Sequence, residues 1–68
     1  MKHGLFDFEA TVEDGVTTLR VIDYSKRVVA TGSGANITEA QEQALATTDN
    51  TDAREHLRNV HLPDAPFA

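Results

Sequence analysis

The sequence predicts an α+β domain: a three-stranded antiparallel β-meander packed on one face by a C-terminal helix, either one continuous helix or one broken near residues 48–52, a β-β-β-α(α) order. Three observations carry this expectation. Residues 5–13 and 16–23 alternate apolar and polar side chains around Asp14-Gly15. A further β-rich run, Arg27-Val-Val-Ala-Thr31, follows the turn Asp23-Tyr24-Ser25-Lys26. From Ala35 onward the period changes from two to that of a helix, with Ile37, Ala40, Ala44 and Leu45 on one stripe and Gln41 and Thr48 at its margin.

The first hairpin rests on two independent signals. Phe6, Phe8, Ala10 and Val12 lie in one phase against Asp7, Glu9, Thr11 and Glu13 in the other. Asp14-Gly15 suits a two-residue type I′ loop, in which both positions need positive φ. That loop pairs Glu13 with Val16, Val12 with Thr17, Ala10 with Leu19 and Phe8 with Val21. It also sets Glu9 opposite Arg20 and Thr11 opposite Thr18, both favourable cross-strand pairs. Closing the second turn with Asp23 opposite Lys26 sets Val28 against Val21 and Ala30 against Leu19 on the apolar face. Val29 and Thr31 then join Arg20, Ile22 and Arg27 on the open one.

Thr31-Gly32-Ser33-Gly34 is expected to end the third strand, its glycines supplying backbone freedom before the helix. Asn36 and Thr38 both qualify as N-caps, each with Glu39 or Gln41 three residues on. Residues 47–52 are poor helix formers and good caps. A second short helix is expected over 53–60, with Asp52 and Glu55 as its capping pair. The two prolines of residues 61–68 exclude a helix there; Leu62 and Phe67 are placed to fold back over the open end of the core on an extended or flexible tail. The domain is therefore assigned to 1–60 and the tail to 61–68. Its core is expected to comprise Phe6, Phe8, Ala10 and Val12, then Leu19, Val21, Val28 and Ala30, then Ile37, Ala40, Ala44, Leu45 and Leu57.

Composition narrows the function classes. Six Lys and Arg against eleven Asp and Glu give a net charge of −5, unfavourable for phosphate-driven nucleic-acid binding or an anionic membrane. There is no Cys, so no disulfide supports a core of this size. No apolar run is long enough for a membrane span or a signal-peptide core, and Met1-Lys-His-Gly4 reads as an ordinary translation start; a soluble cytoplasmic protein is expected. No catalytic residue and no cofactor is assigned. Gly32-Ser-Gly34 lacks the third glycine and the Lys of a phosphate loop, and Glu39 and Glu42 would repel an anion. His3, His56 and His61 have no spacing that assembles metal ligands, so no metal is assigned either.

Two surfaces remain as candidates. Arg20, Ile22, Tyr24, Lys26, Arg27 and Val29 gather around the second turn and the open sheet face, where Val16 adds a further exposed aliphatic. Glu39, Glu42, Asp49 and Asp52 form an acidic helix face. The third strand is also expected to leave a free edge for a partner strand. These features point to a small acidic non-catalytic protein-binding module that regulates or inhibits a larger partner, or that binds a second copy of itself. One version is a phage- or mobile-element-type inhibitor whose carboxylates mimic nucleic acid.

At the strand-to-helix junction the chain resembles the C-terminal half of double-stranded-RNA-binding domains. That family has three antiparallel strands, then a helix opening Gly-x-Gly-x-Ser-Lys-Lys-x-Ala-Lys-x-x-Ala-Ala. Gly32, Gly34, Ala40 and Ala44 fall in the same register. Asn36 stands at the serine, and Ile37, Thr38 and Gln41 stand at the lysines used on phosphate. The arrangement also looks like the DNA-binding arm domains of some phage-type integrases, which are basic. The resemblance implies the fold, and an alternative function: nucleic-acid binding through the Arg20, Lys26 and Arg27 face.

Overall fold

The computed structural model describes residues 1–68. Its elements are β1 (Lys2–His3), β2 (Phe6–Glu13), β3 (Val16–Ile22), β4 (Val28–Gly34), α1 (Ile37–Thr47) and α2 (Thr51–Asn59). The strands form one antiparallel sheet in the order β1-β2-β3-β4, and both helices pack on the same side of it. The expected meander is present, extended at one edge by the two-residue β1.

The β2–β3 hairpin has the expected register, from Glu13 opposite Val16 to Phe8 opposite Val21. Its loop has Asp14 at φ 52° and Gly15 at φ 76°, the left-handed pair a type I′ turn requires. The β3–β4 register differs from expectation, in two steps. The turn closes with Asp23 opposite Arg27, not Lys26: the Asp23 amide donates to Arg27 O at 2.9 Å, the Lys26 amide to Asp23 O at 3.0 Å, and Lys26 takes φ 68°. A bulge then inserts Val29, so that Ile22 faces Val28 while Val21 faces Ala30 and Leu19 faces Gly32. Each step moves the pairing by one residue, and a single step exchanges the two faces of a strand. Two steps restore the faces, so Ala30 still points into the core. Val28 lies between them, beside Ile22 on the open face, and is 46% exposed; its expected core position is thereby corrected.

Gly32 and Gly34 belong to β4 and neither has a positive φ. Their role is size, not freedom. A Cβ on Gly32 would overlap the Ala40 carbonyl oxygen and the Ala44 amide nitrogen, and one on Gly34 would overlap the Glu39 side chain. Ala40 and Ala44 are fully buried against this strand. The helix axis thus comes closer to the sheet than any side chain on Gly32 would permit.

Asn36 caps α1, its Oδ1 accepting the Glu39 amide at 3.0 Å while Glu39 Oε1 accepts the Ala35 amide at 3.2 Å. The expected break follows at Thr48–Asn50. Asn50 caps α2, with Oδ1 2.9 Å from the Ala53 amide, so the capping residue is two positions ahead of the expected Asp52. Gln41 joins the two helices: its Nε2 donates to Leu57 O at 2.6 Å and Val60 O at 3.1 Å, carbonyls at the end of α2 that have no intrahelical donor.

The core comprises Phe6, Phe8, Ala10, Leu19, Val21, Ala30, Ile37, Ala40, Ala44, Ala53, Leu57, Val60 and Leu62. The sequence pattern missed Ala53 and Val60 and overstated Val12 and Leu45, while Leu62 folds back onto the core as expected. α1 starts beside Gly34 and Thr17 and runs back along β4, leaving the hairpin tip uncovered; Val12 is 46% exposed and Leu45 only part-buried. Residues 60–62 turn back over the sheet, and Phe67 pairs with Ala10 on the outer edge of β2.

Candidate protein-binding surface

The free edge expected on β4 is partly covered by α1 and its C-cap. The Ser33 amide donates to Gln43 Oε1 and the Thr48 hydroxyl donates to Val29 O at 2.8 Å, while the Thr47 hydroxyl donates to Gln43 O at 2.9 Å and lies 3.4 Å from Thr31 O. Residues 29, 31 and 33 are the alternate positions whose backbone groups face away from β3. Side chains of α1 and its C-cap therefore take two of the groups an incoming strand would need, the Ser33 amide and the Val29 carbonyl. Thr48 is 4% exposed and also accepts the Asn50 amide at 3.1 Å, so it ties the edge to the interhelix joint. Thr48→Val keeps the shape but leaves that carbonyl and that amide without partners. A loss of about 1–3 kcal/mol is expected in urea denaturation, with faster hydrogen exchange at Asn50.

The residues of the first candidate surface are only partly brought together. Arg20 lies opposite Glu9, and its Nη1 is 3.2 Å from Glu9 Oε1 with both side chains well exposed. Such a pair adds little stability, but it neutralises the central charge of the basic patch. Arg27 pairs with Asp23, out of phase with Ile22 and Val28, and Val29 is half-buried against the core on the bulge. Ile22, Tyr24 and Lys26 remain together. They line a groove of about 330 Å³ with Leu5, Lys2 and the carboxylates Asp7, Glu9 and Asp23.

Local geometry explains why this end of the domain displays apolar side chains. His3 opposite Phe6 leaves Gly4-Leu5 as a two-residue loop, with Gly4 at φ 64°. The positive φ favours glycine, and a Cβ there would stand 2.6 Å from His56 Nε2 and push that ring aside. Leu5 is the outer residue of that loop and is 70% exposed. Tyr24, at the β3–β4 turn, is 76% exposed. The turn itself is well braced, because Asp23 Oδ1 accepts the Ser25 amide at 2.8 Å and the Arg27 amide at 3.0 Å.

Leu5 and Tyr24 also line a second groove of about 240 Å³ on the helix side, with Phe6, His56, Asp23 and Asp52. His56 stands edge-on to Phe6 at 4.8 Å and to His3 at 5.1 Å, and its Nδ1 lies 3.0 Å from Asp52 O. On the sheet side, the amino group of Met1 lies 3.0 Å from Asp7 Oδ1. That hydrogen bond holds the Asp7 carboxyl below its ordinary pKa, with the charges of Lys2 and Lys26 adding to the effect.

The four acidic candidates do not share a face. Glu39 is engaged in capping α1, and Glu42 lines a groove between the helices with Leu57 and Arg58. Asp49 sits in the interhelix joint beside β4, and Asp52 borders the groove of Leu5 and Tyr24. Leu5 and His56 are the surface residues that sequence reasoning missed. One signal did exist: Leu5 falls in the polar phase of the β2 alternation, with Asp7 and Glu9. No sequence signal placed His56 beside Phe6, because that contact spans the whole domain.

No group of three or more His, Cys, Asp or Glu side chains is arranged to hold a metal ion, and no helix is long and apolar enough to cross a membrane. Comparison of the chain with family models, curated proteins and solved structures finds no match.

Proposed function

We propose that this chain is a non-catalytic protein-binding module whose contact surface is the end of the domain formed by the β1–β2 and β3–β4 turns. The observation that carries the reading is the pairing of Leu5 and Tyr24. These are the two most exposed large apolar side chains of the molecule, and both line the same two grooves. Single exposed aliphatics are ordinary on small domains, but an aromatic and a leucine at one braced end form an anchor of the kind found at interface centres. Ile22 forms part of the floor on the sheet side and Phe6 on the helix side. Mixed charges surround them, with Lys2 and Lys26 among Asp7, Glu9, Asp23 and Asp52, which suits a polar rim around an apolar centre.

Arg20 is held by Glu9, and three carboxylates share the groove with the two lysines, so this surface favours a protein partner over a phosphate backbone. The test compares the wild-type chain with a Leu5→Ser/Tyr24→Ser double variant in affinity capture, each with and without nuclease. Both positions are exposed, so stability should change by less than about 0.5 kcal/mol per site. A protein that is retained after nuclease treatment and lost with the double variant is the expected outcome. Retention of that protein by the double variant would exclude this surface. Recovery of nucleic acid that depends on Arg20 and Arg27 would replace the reading with the double-stranded-RNA-binding-domain-like alternative.

A further inference from the structure

The two edges of the sheet are covered by different means, and the difference points to a second binding site. On β4 the Ser33 amide and the Val29 carbonyl are taken by side chains of a packed helix and its cap. On β2 they are taken by other parts of the backbone. The Phe8 amide donates to Met1 O at 2.7 Å, and Ala10 exchanges both hydrogen bonds with Phe67, at 2.9 and 3.0 Å. Along β2 the outward-facing groups belong to residues 6, 8, 10 and 12, since 7, 9, 11 and 13 pair toward β3. Beyond Ala10 no strand lies opposite Val12, which is 46% exposed.

We infer that the β2 edge from Ala10 to Val12 is a strand-addition site, that Phe67 occupies it in cis, and that its ligand in trans is an extended basic segment carrying an aromatic residue. Three features support this. Phe67 shows that an antiparallel strand with an aromatic facing the core side fits against Ala10, where it packs on the cluster and stays half-buried. The backbone contact is a single residue pair, reached from the anchor at Leu62 through Pro63 and Pro66, so opening residues 63–68 gives up that pair and the partial packing of Ala65 and Phe67. The charge of the occupant is also poorly matched. Residues 62–68 carry Asp64 and no Lys or Arg, while Glu13 and Asp14 flank the open-face side of this edge, beyond Glu9, which pairs with Arg20. A strand with lysines on either side of its aromatic would set them against those acids, gaining what the cis segment lacks. This site lies away from Leu5 and Tyr24 and stands independently of the binding surface proposed there.

Two measurements on the full chain test the inference. In native-state hydrogen exchange, the Ala10 amide should exchange through local opening, about 100-fold faster than the Leu19 amide in the inner ladder. Equal rates, with Ala10 exchanging only on global unfolding, would overturn the proposal. The second measurement titrates the isotope-labelled chain with the probe acetyl-Thr-Lys-Phe-Lys-Thr-amide. Saturable amide shifts should centre on Ala10 and Val12, and a Phe67→Gly variant should bind about tenfold more tightly, because the competing cis segment is weakened. The same probe with Glu in place of both Lys should bind more weakly. Shifts confined to the Leu5–Tyr24 end, no saturable shift in the variant, or equal affinity for the two probes would each overturn it.

Discussion

Gly32→Ala is expected to destabilise the domain by about 3 kcal/mol, at the upper end for overpacking a well-filled site. The new Cβ would meet the backbone of Ala40 and Ala44, not a side chain that could rotate away. The only relief is movement of α1 off β4, which would open the contact of Ala40 and Ala44, both fully buried, and strain the bonds from Gln43 and Thr48 to the strand edge. A chain of 68 residues has a total stability of roughly 3–10 kcal/mol. The loss is therefore a large fraction of the whole, and a fall in melting temperature of roughly 4–8 °C per kcal/mol follows for a domain of this size. Calorimetry or thermal circular dichroism reads it directly. A second substitution, Ala44→Gly, should not rescue the variant, because the overlap is with the Ala44 amide and not its methyl group. A wild-type melting temperature in Gly32→Ala would show that helix and strand are farther apart than the structure has them.

Leu57→Ala should cost a similar amount, about 3 kcal/mol within the range for emptying a buried leucine site. Leu57 is 1% exposed and is the large apolar side chain by which α2 enters the core; its companion Ala53 is fully buried but small. The site cannot collapse easily, because Gln41 holds the Leu57 and Val60 carbonyls and Asn50 holds the first turn. With α2 loosened, His56 would leave the edge of Phe6 and the helix-side groove of Leu5 and Tyr24 would lose a wall. Urea denaturation should show a lower midpoint with an unchanged slope if unfolding remains two-state. An unchanged midpoint would mean that α2 adds nothing to the core.

The sheet-side groove can be reached from sequence only in part, and the reason is the turn. Ile22, Tyr24 and Lys26 were legible because they are near neighbours in the chain, and local spacing carried them to one place. Arg27 and Val29 were grouped with them on a register that assumed a two-residue turn. The left-handed Lys26 and the bulge at Val29 moved both away. Neither device has a composition signal here: Lys is an uncommon left-handed residue, and Val is an ordinary strand former. Leu5 and His56 join the surface through contacts between the first and last elements, which no local pattern encodes.

What the sequence by itself determined is the part governed by local chemistry. Alternation and Asp14-Gly15 set the β2–β3 hairpin to the residue, the stripe from Ile37 to Ala44 set α1, and the run of poor helix formers after Ala46 marked where the helix could break, a choice the packing of α2 then made. Tertiary structure alone decided the remainder. It covered the β4 edge with Gln43 and Thr48, buried Val60 in the core and chose Ala10 as the partner of Phe67, and turned Gly32 from a flexible joint into a point of close contact. The physical reason is common to all three. A backbone group at a sheet edge, or a surface left apolar on a strand, requires a partner, but which distant residue supplies it depends on where packing places the helices and not on any spacing along the chain.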